Sequence, residues 1–110
     1  MGIPSQKISV YQVVGQDCLT GDDGHILYKA FIPELRAGRE VELDFTGVEA
    51  IASPFFIASL GFLLRDFEPQ SLRPLIAVSN LPVAAHPILS RVLQNCRRYY
   101  RKNSVYEPVV

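Results

Sequence analysis

A chain of 110 residues, 48% apolar and 10% aromatic, can close one core unaided and makes one small domain, residues 1–110. Its 11 Lys and Arg balance 11 Asp and Glu, and a net charge of zero argues against nucleic acid as the main ligand. Two cysteines without a CxxC or Cys/His cluster argue against a zinc site, and the longest apolar run, "PFFIASLGFLL", is shorter than the ~20 residues that span a bilayer.

The opening "MGIPSQKISVYQ" has no basic stretch followed by an apolar one, and Gln6 stands where myristoylation calls for Ser or Thr. The expectation is a cytoplasmic protein with no membrane partner. "ISVYQVVG" (8–15) mixes β-branched and aromatic residues up to a glycine and predicts a strand. "GDDG" (21–24) is a turn in which Asp22 or Asp23 caps a helix over roughly 25–37, with Ile26, Leu27, Phe31 and Leu35 at helical spacing. Pro33 is expected to bend or interrupt that helix, and Gly38 closes it.

"REVELDF" (39–45) alternates cleanly. Val41, Leu43 and Phe45 face one way and Glu40, Glu42 and Asp44 the other. Three carboxylates on one face require water, so the sheet should carry its helices mainly on the opposite face. The segment 54–67 is apolar around most of its circumference, which predicts a central buried helix, and Ser53 before Pro54 predicts its N-cap. A loop comes next at 69–74, then a strand "LIAVS" (75–79), then a last helix in which Pro87 suits the first turn. That helix carries Leu89, Val92, Leu93, Cys96 and Tyr100 as one stripe, and "VYEPVV" is a tail or a short final strand. Strands and helices alternate as β-α-β-α-β-α, so the class is α/β with a small, mostly parallel or mixed sheet.

The run "VELDFTGVEAIASPFFIASLGFLL" (41–64) resembles the central segment of STAS domains, closest to the STAS-like branch catalogued as a domain of unknown function. In the anti-anti-sigma factors of that fold a strand ends in an Asp-apolar-Ser/Thr-Gly-Val pattern, matched by Asp44-Phe45-Thr46-Gly47-Val48. A Ser-containing turn then opens a helix, and Ile51 and Ser53 match it in position. The resemblance implies a single STAS-like domain of bacterial regulation. It would work by protein–protein interaction without catalysis, with an ATP-binding kinase or anti-sigma-like protein as the partner class. The partner surface it implies is Asp44, Thr46, Gly47, Glu49, Ser53 and Phe56. Relatives are switched by phosphorylation of a serine in the turn. Here Pro54 holds that place and Ala52 replaces the turn's Asp, so Ser53, one residue earlier, is the candidate phosphoacceptor.

The charges are sorted along the chain. Eight acidic residues against three basic ones lie between Asp17 and Glu49, and seven basic against two acidic between Arg65 and Lys102. "RRYYRK" gives a candidate basic interaction surface: Arg97, Arg98, Tyr99, Arg101 and Lys102. It suits a cationic helix end, an acidic protein or a second copy of the chain; an alternative function is a nucleic-acid-associated accessory protein using this last helix. A nucleotide or small-ligand module is the third reading, without a Gly-rich cradle or Walker lysine to support it. Cys18, His25 and His86 fall in no catalytic or metal spacing, so the expectation is no enzyme, no metal and no cofactor.

Overall fold

The computed structural model describes residues 6–72 and 75–103. Among the described residues five strands and six helices succeed one another: β1 (Gln6–Ser9), α1 (Val10–Val13), β2 (Asp17–Cys18), α2 (Gly21–Arg36), β3 (Val41–Asp44) and β4 (Ala50–Ile51). A central helix comes next in three parts, α3 (Ser53–Phe56), a π turn (Ile57–Gly61) and α4 (Phe62–Asp66). Then come α5 (Pro69–Leu72), β5 (Ile76–Ser79), a 3-10 turn (Val83–Ala85) and α6 (His86–Asn103). The expected tail over 105–110 lies outside the described residues.

The main sheet is parallel throughout, in the order β1-β3-β5. Its register sets Ile8 beside Leu43 beside Val78, and Lys7 beside Glu42 beside Ala77. Period-two alternation therefore gives each face one character. Val41 and Leu43 point into the core with Phe45, the residue just after the strand, whereas Glu42 and Asp44 belong to the half-covered outer face. The helices pack against the inner side. This is the α/β, two-layer arrangement expected, and the alternation of "VELDF" dictates it.

Several elements differ from the sequence reading: β2 and β4 form a second, two-stranded sheet, α5 (Pro69–Leu72) occupies the expected loop at 69–74, and two expected elements change their bounds. The strand expected over 8–15 stops at Ser9, because the Ser9 hydroxyl accepts the Gln12 amide at 3.2 Å and turns Val10–Val13 into helix. The helix expected from residue 25 starts at Gly21. Thr20, not Asp22 or Asp23, is its N-cap, and Asp23 closes a capping box by accepting the Thr20 amide while donating its own to the Thr20 hydroxyl. The helix runs through Pro33, which is exposed and one turn from the end; the helix loses the one bond that a residue 33 amide would make to Lys29 O, and does not end there. The end itself is a Schellman motif. Gly38, at φ 78°, donates to Leu35 O, and Arg39 donates to Glu34 O.

The central helix is enclosed on its flanks. Phe55, Phe56, Leu60 and Leu63 are buried against the core, and Phe55 and Phe56 form a three-ring cluster with Phe45 of the sheet. On one side lies α2, whose Gly24 backbone sits so close that a Cβ there would fall 2.3 Å from Phe55 O and 2.9 Å from the Ala58 Cβ. On the other lies α6, whose Cys96 Sγ would stand 2.8 Å from a Cβ on Gly61. The π turn between these contacts holds an extra residue per turn, which rotates Gly61 relative to Phe55 and lets one helix serve two neighbours. Ser59, the buried polar residue of this turn, donates its hydroxyl to Phe55 O at 2.8 Å.

The packing of α2 on the central helix generates a prediction. Gly24→Ala gains helix propensity of about 1 kcal/mol, yet must push apart two backbones, an overpacking cost of about 1–3 kcal/mol or more. Urea denaturation should show Gly24→Ala destabilised by about 1–2 kcal/mol, whereas Gly21→Ala, where a Cβ would meet nothing, is unchanged or slightly more stable. Equal behaviour of the two variants would contradict the close approach.

Candidate functional site

β3 ends at Asp44, whose carboxylate ties the next turn to both neighbouring strands. Oδ1 accepts the Thr46 amide at 3.0 Å, the Thr46 hydroxyl at 2.7 Å and the Asn80 side-chain amide at 2.9 Å. Oδ2 lies 3.6 Å from Lys7 Nζ on β1. The Thr46-Gly47 turn is thus an Asx-type turn, fastened from across the sheet by Asn80, which adopts φ 56° at the end of β5. Gly47 takes φ 92°, and a Cβ on it would touch the Tyr11 ring at 3.0 Å, so this turn needs glycine on both counts. The hydrogen bonds from Asn80 and Thr46, with Lys7 nearby, hold the Asp44 carboxyl well below the usual carboxylate range. Glu42, next on the same face, accepts the Ser79 hydroxyl at 2.7 Å. The polar face of the sheet is therefore wired within itself.

After the turn the chain forms β4, which pairs in parallel with β2: Asp17 opposite Ala50, Cys18 opposite Ile51. Glu49 N and Ala50 N both point to Gln16 O, and Ala52 N continues the ladder to Cys18 O at 3.0 Å. That last bond holds Ala52 extended, at φ −127° and ψ 161°, so Ala52 rather than Ser53 is the N-cap of the central helix. Ser53 is the first helical residue, makes no capping bond and is exposed beside an exposed Pro54. The N-cap role expected for Ser53 is corrected by a contact from Cys18, far back in the sequence.

The two short strands launch α2 and α3 side by side. The register of β2 on β4 continues to Leu19 level with Ala52, the residue before Ser53, and Ile57 lies one turn beyond Ser53 in the central helix. Leu19 is 44% exposed and Ile57 42%. Around them stand the exposed carboxylates of Asp17, Asp22 and Glu49. Of the residues expected to form a partner surface, Thr46, Gly47, Glu49 and Ser53 are exposed and Asp44 is partly covered by its own bonds. Phe56 is fully buried, because it belongs to the ring cluster with Phe45 and Phe55, so it offers nothing to a partner. Leu19 and Ile57 are the apolar residues of this corner that sequence reasoning missed. Ile57 hides in an apolar run, and Leu19 joins the site only through a two-residue ladder.

The basic residues of the last helix divide differently. Val92 and Cys96 are buried, Leu89, Leu93 and Tyr100 pack partly against the core, and Arg97, Arg98 and Tyr99 are exposed. Arg101 and Lys102 lie in the same helix, with their side chains outside the description. Cys18 and Cys96 are free, buried thiols; burial, then Asp23 and Asp17, push Cys18 up to about 11, which keeps it protonated and unreactive. His86 Nε2 lies 3.2 Å from Leu81 O at the start of α6. Among the described residues no group of three or more His, Cys, Asp or Glu is placed to hold a metal, and no helix is long and apolar enough to cross a membrane.

Asp44 generates a prediction with a definite sign. The unfolded carboxyl takes up its proton near pH 4 and the folded one only at lower pH. Its contribution is full above about pH 4 and is lost as pH falls below that, toward the folded value. Asp44→Ala should lower the stability measured by urea denaturation at pH 7 and flatten its decline between about pH 4 and pH 2. An unaltered acid limb would show that Asp44 is not the anchor.

Comparison with known proteins gives one family. No curated protein and no solved structure matches. Residues 23–83, from the first turn of α2 to the residue that opens the 3-10 turn, match the family described as STAS-like domain of unknown function (DUF4325). The match covers more than half of the chain and includes β3, the Asp44 turn, the β4–α3 junction and the whole central helix, and the chain belongs to that STAS-like family.

Proposed function

We propose that this chain is a non-enzymatic, STAS-like regulatory module of the bacterial cytoplasm that acts by binding another protein at the corner where β2 and β4 launch α2 and α3. The observation that carries the reading is the character of that corner. Two exposed apolar side chains, Leu19 just after β2 and Ile57 one turn into the central helix, lie on the two chain segments that meet at the start of that helix, where Ser53 caps nothing, inside a family whose fold is STAS-like. A single exposed leucine means little, but apolar residues beside an exposed hydroxyl at a helix start form a small site with an apolar centre and a charged rim.

By analogy with the anti-anti-sigma factors the partner class is an ATP-binding kinase or an anti-sigma-like protein, an analogy of fold that the site must substantiate. Ser53 is the candidate for modification. A phosphate there would gain from the helix dipole and would add charge where Asp17, Asp22 and Glu49 already stand, so it would repel an acidic partner and strengthen contact with a basic one.

The full chain, tagged and used as bait in the native cell with mass spectrometry of captured proteins and phosphopeptides, is the test. An ATP-binding protein of the kinase type is expected in the captured set, and its recovery should drop at least ~10-fold for Leu19→Glu and Ile57→Glu, both at exposed positions. Ser53→Asp should change capture while Ser53→Ala should not. Recovery indifferent to both apolar variants would end the reading, and the absence of any phosphopeptide covering Ser53 together with a neutral Ser53→Asp would remove the switch.

A further inference from the structure

Helix α6 carries no acidic residue, and the sequence from 69 to 106 has none, while Arg91, Arg97, Arg98, Arg101 and Lys102 all fall in that one helix. Arg91, Gln94, Asn95 and Arg98 recur at helical spacing opposite the buried Val92 and Cys96, and all four are exposed. Among the described residues Arg91, Arg97 and Arg98 make no ion pair; the pairs that form are Lys7–Asp44, Arg39–Glu34 and Arg65–Asp66. This is an unneutralised cationic face.

Its complement lies on the same molecule. Asp17, Asp22 and Glu49 are exposed at the β2–β4 corner, equally without an ion pair among the described residues. The corner belongs to the α2 side of the central helix, where Gly24 meets Phe55 and Ala58. The cationic face belongs to the α6 side, where Cys96 meets Gly61. The central helix packs α2 on one flank and α6 on the other, and among the described residues no ion pair joins the two charge sets within one chain.

We infer that a second copy of this chain is the occupant of the α6 face, docking its acidic β2–β4 corner onto Arg91 and Arg98 of its neighbour. The chain's zero net charge bears on this choice. Two neutral molecules with opposite charges on separate faces attract through those faces with no overall repulsion to oppose them. A nucleic acid drawn to α6 would instead meet a chain that carries eight acidic residues between Asp17 and Glu49. If each copy offers both faces at once, the contact closes as a two-fold dimer with two equal acid–base seams; if it offers one, it runs head to tail.

Sedimentation velocity on the full chain at about 10 mM and about 1 M NaCl tests this, since the screening length falls from about 30 Å to about 3 Å between them. Self-association at low salt that is lost at high salt is expected. Arg91→Glu with Arg98→Glu should weaken it at least ~10-fold, as should Asp17→Lys with Asp22→Lys. An equimolar mixture of these two double variants should associate again, which a folding defect in either would prevent; circular dichroism of each variant, matching that of the unaltered chain, is the second check. A monomer at low salt, or an association that survives both double variants, overturns the inference. So does a mixture that stays monomeric although both variants are folded. A monomer that binds a fluorescent DNA duplex at low salt and loses it in Arg91→Glu with Arg98→Glu overturns it in favour of a polyanion.

Discussion

Everything in this fold is arranged around one close approach, that of α2 to the central helix at Gly24. Because residue 24 has no side chain, the two backbones come within contact distance there, and the ring cluster of Phe45, Phe55 and Phe56 can lie flush on the sheet behind them. The π turn is the companion of that contact. A regular α-helix would repeat one packing face along its length, whereas the widened turn re-aims the helix so that Gly61 reaches Cys96 of α6. The outer face of the sheet is the counterpart of this core: opposite the buried Val41 and Leu43, the register lines up Lys7, Ser9, Glu42, Asp44, Ala77 and Ser79.

The same packing decides which surface stays open. The helices that press on the sheet hide Phe55 and Phe56 and leave their ends free. Because β2 and β4 run parallel, α2 and the central helix both begin at one end of the molecule, so two helix starts and two polar loops converge there. α2 has neutralised its start with Thr20 and Asp23, while the central helix has left its own bare at Ser53. That inequality between adjacent helix starts gives the corner its chemical individuality within an otherwise ordinary α/β layer.

What could be seen in the sequence was what short-range rules govern. The alternation of "VELDF", the Gly38 stop and the inward stripe of α6 each depend on neighbours a few residues away, and each appears as expected. The misreadings share the opposite property. Ser9 converts the second half of an apparent strand into helix with one side-chain bond, and Ser53 loses its capping role to a ladder bond from Cys18. The π turn left no trace, since a helix buried on several sides is apolar all round and cannot reveal its phase. Of the expected partner surface, Thr46, Gly47, Glu49 and Ser53 lie exposed, as a local turn allows the sequence to indicate. Leu19 was not legible, since a two-residue strand is too short to form a pattern.

The Asp44 carboxylate has a meaning for how this chain can vary in length. One oxygen atom holds both the turn after β3 and the residue after β5, so the segments 44–46 and 79–80 are pinned to a common point. An added residue inside either would pull a donor off that atom. Beyond Asn80 and before the 3-10 turn, the backbone has no such tether to Asp44, and extra residues could loop out toward solvent. Insertions among members of this family should therefore gather on the α6 side of Asn80 and avoid the Asp44–Thr46 stitch, which makes that stitch a fixed landmark for aligning chains that share little else.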